Sequence, residues 1–203
     1  MAPPPDPDSA SARLVASAIA LFTAGTYSSV GVQELCEHAD VRRGSFYYHF
    51  RSKQDLALAA LDAEWDSLRT EIFEPAFGED LTPLVAFSRF WDLVHEHAIR
   101  RSAEFGVFGG SLLVSLAQEM ATDDGIIRDR ALQHLAKATA YFEAALGAAI
   151  DAGDATARDT KVAARRMATY VAGTLAVARA VADPAVISDL RFDLWRLDAP
   201  PAE

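Results

Sequence analysis

From Val41 to Lys53 the chain reads Val-Arg-Arg-Gly-Ser-Phe-Tyr-Tyr-His-Phe-Arg-Ser-Lys, with four cations, two tyrosines and a histidine and no carboxylate. These side-chain types suit a polyanion. Guanidinium groups fork onto phosphate or onto O6 and N7 of guanine, while hydroxyl and aromatic groups add contacts to the sugar-phosphate backbone. The formal net charge of the whole chain is −10. Nucleic acid repels such a chain elsewhere, so a local cationic stretch reads as a footprint for it. Charge that serves only solubility mixes its signs, and this stretch does not.

The flanking residues give the segment a geometry. Val32, Leu35, Cys36 and Ala39 recur at helical spacing, which predicts a short amphipathic helix over Gly31 to His38 capped by Ser29. Ala39-Asp40-Val41 is a turn of about three residues, and Arg42 to His49 supplies a second helix. This is a helix-turn-helix pattern, whose second helix shows its N-terminal residues to base edges in the major groove. Phe46 and Phe50, four apart, belong to the opposite, core face. Ahead of the unit, Ser11 to Ala24 carries one buried stripe (Leu14, Val15, Ala18, Ile19, Leu21, Phe22) and stops at Gly25. Behind it, Ser52-Lys53-Gln54-Asp55 has the form of a capping box. That box starts a helix expected to reach about Phe73 and to end before Pro75.

Leu14 to Phe22, Gly25-Thr26-Tyr27, Val32 to Val41, Gly44 to Phe50 and Ser52-Lys53 together resemble the DNA-binding domain of the TetR/AcrR family of bacterial transcriptional repressors, over roughly residues 12–62. Gly110 to Glu119 resembles, more loosely, a helix of the ligand domain in one branch of that family, which often has Cys and Asn where this chain has Ser111 and Ser115. The resemblance implies an all-helical protein that binds DNA as a dimer and releases it on binding a small molecule. It implies that Arg42, Arg43 and Gly44 face bases with Tyr47 one turn on, and that Ser45, Tyr48, His49 and Lys53 touch the backbone. Two positions depart from the pattern. Val30 stands where family members place a Thr or Ser that caps the helix and touches a phosphate. Arg42 stands where a Ser or Thr usually opens the recognition helix, which trades a cap for a cation able to reach guanine.

With 203 residues, 51% of them hydrophobic, the chain can bury a core far larger than a helix-turn-helix needs. No apolar run approaches the roughly 18 to 20 residues that span a bilayer, and Met1 to Ser9 lacks the basic start and apolar core of a signal peptide. A soluble, cytoplasmic protein is expected. The single cysteine, Cys36, excludes an internal disulfide and lies on an apolar stripe, which reads as packing. His95-Glu96-His97 cannot share a metal, because residues two apart on a helix diverge, and surface histidines are expected there. No Gly-x-Ser-x-Gly, phosphate-cradling Gly loop or Cys-x-x-Cys appears, so neither an enzyme nor a cofactor or metal is expected.

Beyond residue 80 only helices are predicted: Leu81 to Arg101, Gly110 or Ser111 to Met120, Ile126 to Asp151, Thr156 or Asp159 to Ala182, and Pro184 to about Leu197. The fold class is all-α, about nine helices: a disordered tail (1–10), a three-helix helix-turn-helix domain (11–56), a ligand-binding and dimerisation domain (57–198) and a short disordered end (199–203). Candidate pocket residues are Phe87, Phe90, Trp91, Phe105, Phe108, Leu112, Leu116, Met120, Tyr141 and Phe142, apolar groups flanking a Gly-broken segment, which favours an apolar or aromatic effector. The last two helices carry the candidate dimer interface: Ala163, Met167, Tyr170, Val171, Thr174, Leu175 and Ala178, with Ile187, Leu190, Leu194 and Leu197. Closure of the monomer core is the alternative for these stripes. The function expected is a ligand-responsive repressor binding a palindromic double-stranded operator as a homodimer. An activator on the same fold, or a helical protein-interaction module with a vestigial DNA motif, are the alternatives. Operator, effector and regulated genes are not legible.

Overall fold

The computed structural model describes residues 9–191 apart from 79, 80, 107, 124, 156 and 158. Among the described residues the structure is helical without strands: α1 (Ala10–Ala24), α2 (Val32–His38), α3 (Arg43–His49), α4 (Lys53–Leu68), α5 (Pro83–Phe105), α6 (Leu112–Glu119), α7 (Gly125–Asp151), α8 (Thr160–Ala180) and α9 (Val186–Asp189). The chain divides into two compact units, Met1–Asp66 with Leu112–Leu132, and Ser67–Ser111 with Gln133–Glu203. No helix among the described residues is long and apolar enough to cross a membrane.

In the first unit Ser9 caps α1, accepting from the Ala12 amide at 3.2 Å, so the helix opens one residue before the expected Ser11. α1 buries Leu14, Ala18 and Phe22 and packs on α2, α3 and α6. The Ser17 hydroxyl donates to the Leu35 carbonyl at 3.1 Å, which satisfies a buried oxygen where α1 meets α2. This unit exceeds the predicted helix-turn-helix segment because α6, with Leu112 and Leu116 fully buried, packs on α1 and joins it.

The helix expected to stop before Pro75 does not. α4 runs into a π turn over Arg69–Phe73, in which the Glu74 amide reaches five residues back to the Arg69 carbonyl, and a further turn, Glu74–Ala76, carries it past the proline. Proline lacks an N–H and its ring collides with the carbonyl four residues back. The helix widens by one residue just ahead of the proline, where such a bulge eases the crowding of the ring against the preceding turn.

In the second unit the π turn packs on α5 and adds Phe73 to a cluster of rings. Phe73, Phe77, Phe87, Phe90, Tyr141 and Phe142 neighbour one another at centroid separations such as 5.1 Å for Phe90–Phe142 and 5.2 Å for Phe73–Tyr141. His97, expected at the surface, is largely buried, its Nδ1 3.3 Å from Glu71 on the π turn. Burial and the charge of Arg101 hold its pKa below the ordinary histidine range against the pull of Glu71. Asp159 caps α8, accepting from the Lys161 and Val162 amides. Asp183 accepts from the Ala185 amide at 2.8 Å as the chain turns into α9. The final helix spans Val186–Asp189, opening two residues after the expected Pro184, and Leu190 and Arg191 have already left it short of the expected end near Leu197; Leu194 and Leu197 lie outside the described residues, as do residues 1–8 and 199–203 of the expected tails.

Candidate nucleic-acid interface

α3 has two faces. Phe46, fully buried, and Phe50 point into the first unit and neighbour each other at 6.1 Å between centroids. On the other face Arg42, Arg43, Gly44, Tyr47, Tyr48 and His49 are exposed and Ser45 is half-buried. Tyr48 is 85% exposed. Burial gives such a ring almost nothing, so folding does not explain it. Arg42 stands at the cap position of α3, in extended backbone, with its side chain exposed. The Arg43 guanidinium lies over the Tyr47 ring at 5.9 Å, and the nearness of Tyr47 lifts its pKa. Nothing lies within 4 Å of where a Gly44 Cβ would stand, so the backbone at the tip of α3 is open to close approach.

The turn between α2 and α3 holds itself. Asp40 takes the left-handed conformation at φ 50°, the Val41 amide donates to Cys36 O at 2.9 Å and the Asp40 amide to Glu37 O at 3.2 Å. These bonds form a Schellman motif, with Asp where glycine is usual. Buried Val41 and Cys36 supply its apolar contact. Burial pushes the Cys36 thiol pKa up, which agrees with packing rather than reactivity. An open groove along this turn is lined by Gln33, Cys36, Glu37, Asp40, Val41, Arg42 and Arg43.

The turn before α2 is built otherwise. Ser29, expected to cap α2, is instead paired with Thr26: its amide donates to Thr26 Oγ1 at 3.2 Å and its hydroxyl to Thr26 O at 3.1 Å. Gly31 occupies the cap position with no side-chain bond. Lys53, expected on the DNA backbone, has its ammonium on the carbonyls of Tyr27 at 2.9 Å and Val30 at 3.0 Å, over the Tyr27 ring at 4.1 Å. Burial lowers its pKa against the pull of Glu119. Two of its three protons are committed inside the protein. Sequence reasoning missed Glu119, whose carboxylate accepts from the Tyr27 and Ser28 amides; a contact spanning 92 and 91 positions has no local signal. Ser52 Oγ accepts from the Asp55 amide at 3.1 Å, as a capping box requires.

The family model described as "Bacterial regulatory proteins, tetR family" matches residues 14–60, and the model of the tetracyclin repressor-like C-terminal domain matches residues 88–192. The chain belongs to the TetR family of DNA-binding transcriptional regulators. The TetR-family chain is 35% identical to the transcriptional regulator AcuR of Cereibacter sphaeroides over 117 residues, 57% of this chain and 51% of AcuR. It is 27% identical to the HTH-type transcriptional repressor NemR of Escherichia coli over 97 residues, 46% of this chain and 45% of NemR. The matched stretch thus spans about half the length of these curated relatives. A crystal structure of regulatory protein TetR from Rhodobacter sphaeroides aligns with TM-score 0.80 and 26% identity over 91% of this chain and 96% of that one. Reduced E. coli NemR aligns with TM-score 0.76 and 19% identity over 96% and 99%, which shows the shared fold.

Elsewhere in the TetR-family chain the candidate residues fall in both units. Phe87, Phe90 and Phe142 are buried in the ring cluster of the second unit, with Tyr141 half-buried beside them. Trp91 packs edge-on against Phe90 and Tyr170. Phe108 is buried, and Phe105 lies half-buried beneath the Arg101 guanidinium at 4.4 Å. Leu112, Leu116 and Met120 are buried in the first unit. Of the candidate dimer residues, Ala163, Met167, Thr174, Ala178 and Ile187 are each 3% exposed or less within the single chain. That stripe therefore closes the monomer. Tyr170 is half-buried, its hydroxyl donating to the Leu190 carbonyl at 2.8 Å, and Val171 and Leu175 are half-buried. The opposite face of α8 exposes Thr169, Gly173, Ala176, Val177 and Ala180, and Leu190 is exposed after α9. The C-terminal half of α8 is apolar on both faces, so hydropathy alone does not tell the internal stripe from the exposed one.

Proposed function

We propose that this chain is a ligand-responsive repressor acting in the cytoplasm, which binds a palindromic operator as a homodimer and leaves it when a small apolar or aromatic effector binds. The exposed, carboxylate-free face of α3 carries the reading. Arg42 and Arg43 reach guanine edges beside Gly44, with the Tyr47 ring beneath Arg43; one bidentate arginine discriminates by about 1–3 kcal/mol. Ser45, Tyr48 and His49 meet the sugar-phosphate backbone, and the third proton of Lys53 is left for a phosphate.

A dimer follows from the groove geometry, since two recognition helices read half-sites about 34–36 Å apart. The outer face of α8, Gly173, Ala176, Val177 and Ala180, together with Leu190, is the surface we assign to the partner copy, in place of the buried stripe. Gly and Ala there let two helices approach closely, and Val177, 48% exposed, gains by being covered.

The effector reading rests on the ring cluster. An apolar molecule entering it displaces Phe73 and so bears on the π turn that prolongs α4. Moving a balance from 1:99 to 99:1 takes about 5.5 kcal/mol of preference for one state. Burying a few hundred Å² of apolar surface supplies that at about 25 cal/mol per Å². A mobility shift with DNA flanking the gene that encodes this chain tests the proposal. A complex of two chains per duplex, abolished by Arg42→Ala with Arg43→Ala, is expected. No shift at low ionic strength, or one chain per duplex, overturns it.

A further inference from the structure

The loop that leads into α2 is gripped by two side chains from outside it. Glu119, the last residue of α6, accepts from the Tyr27 amide through Oε2 and from the Ser28 amide through Oε1, each at 2.8 Å. Lys53, the first residue of α4, donates to the Tyr27 and Val30 carbonyls. One anion and one cation thus hold the main chain of the loop, and the Tyr27 ring is wedged between the Lys53 ammonium and Phe22, 5.3 Å away edge-on.

The placement of Glu119 does not serve α6. A carboxylate in the last turn of a helix opposes the helix dipole, so its gain must come from the loop. Burial pushes its pKa up, but the hydrogen bonds from Ser28 and Tyr27 and the charge of Lys53 outweigh that and hold it below the ordinary glutamate range. α2, for its part, has no side-chain cap at Gly31. α2 is seated on α1 through the Ser17–Leu35 hydrogen bond, and its uncapped first turn takes its direction from the loop. The Schellman turn then fixes α3 to α2, so a tilt imposed at residues 27–28 and passed to the start of α2 is carried on to the recognition helix. α6 makes a firm anchor, with Leu112, Leu113 and Leu116 buried and the helix packed on α1.

We propose that Glu119 is a positioning residue for operator recognition, setting the angle of the α2–α3 pair from α6. This rests on the DNA-binding reading above. A loop staple with no part in recognition would predict lost stability alone.

Glu119→Gln in the full chain separates the two. It keeps the shape but turns one acceptor into a donor facing an amide. Hydrogen exchange at residues 27 and 28, urea unfolding, and affinity for a duplex selected by the unaltered protein and for its scrambled counterpart are compared. Operator affinity should fall about tenfold, the cost of losing one charge-assisted bond. Both amides should exchange faster and scrambled-duplex affinity should stay unchanged. Glu119→Asp, which keeps the charge, should recover part of the operator affinity, and gives the same readout if the Gln variant does not fold. Faster exchange with operator affinity within twofold overturns the inference, as does unchanged exchange. If the unaltered protein selects no duplex, the DNA reading itself fails and this inference falls with it.

Discussion

The two turns that flank α2 do opposite things with the same short length of chain. The turn after α2 is closed by its own backbone, with Asp40 in the left-handed region and buried Val41 as its apolar stop. The turn before α2 carries no helix cap and, besides its own Thr26–Ser29 bonds, is held by Glu119 and Lys53, which come from elsewhere in the sequence. A self-closed turn makes α2 and α3 one rigid body. A turn held from outside is where that body is aimed. The division suits a DNA reader, since the relation of the two helices must not vary while their placement on the duplex can be adjusted.

The contrast can be broken at either turn. Lys53→Met should have the largest effect: two carbonyls lose a charged donor, and at about 1–3 kcal/mol for a buried group left unsatisfied, discounted for partial exposure, roughly 2–3 kcal/mol of stability should go. Urea unfolding measures it, and a loss under about 0.5 kcal/mol, the scale of an ordinary surface substitution, would mean the first turn is not held by this ammonium. Arg43→Ala, on the rigid side, should leave stability unchanged and remove about 1–3 kcal/mol of discrimination between operator and scrambled duplex. Equal losses on both duplexes would reassign Arg43 to phosphate. Asp40→Gly should raise stability by about 1 kcal/mol, since the left-handed cost of an L side chain is relieved, with operator affinity unaltered. An affinity change would show that the second turn is not a passive joint.

The smallest effect concerns pH. Glu119 has a folded pKa depressed below the unfolded one, so its contribution to stability is fully present above the unfolded value of about 4.3 and is lost as pH falls through the folded value. Unfolding measured from pH 6 downward should therefore show a shallower acid loss in Glu119→Gln than in the unaltered chain. Parallel curves would mean the carboxylate gains nothing from the loop amides.

How much of this was legible follows the same division. The helix of the basic segment, its buried Phe46 and Phe50, the Ser52 cap and the packed Cys36 are local facts, written in spacing within a few residues, and the structure repeats them. Glu119 was invisible because its partners lie far away in sequence and because a glutamate ending an amphipathic helix reads as solvated surface. Ser29 was misread because Thr26 competes for its hydroxyl and amide. Thr174 and Ala178 were given to a dimer because the C-terminal half of α8 is apolar on both faces, and only packing shows which face the monomer uses. The helix past Pro75 was cut short because a π turn leaves no mark in periodicity.

Selection from a randomised duplex pool by the purified full chain at low ionic strength tests most directly whether α3 reads DNA in symmetric pairs. The expected product is a two-fold symmetric site, with half-sites a whole number of helical turns apart and guanines within reach of Arg42 and Arg43. A pool that remains unenriched, or that converges on a single asymmetric half-site bound by one chain, would contradict it.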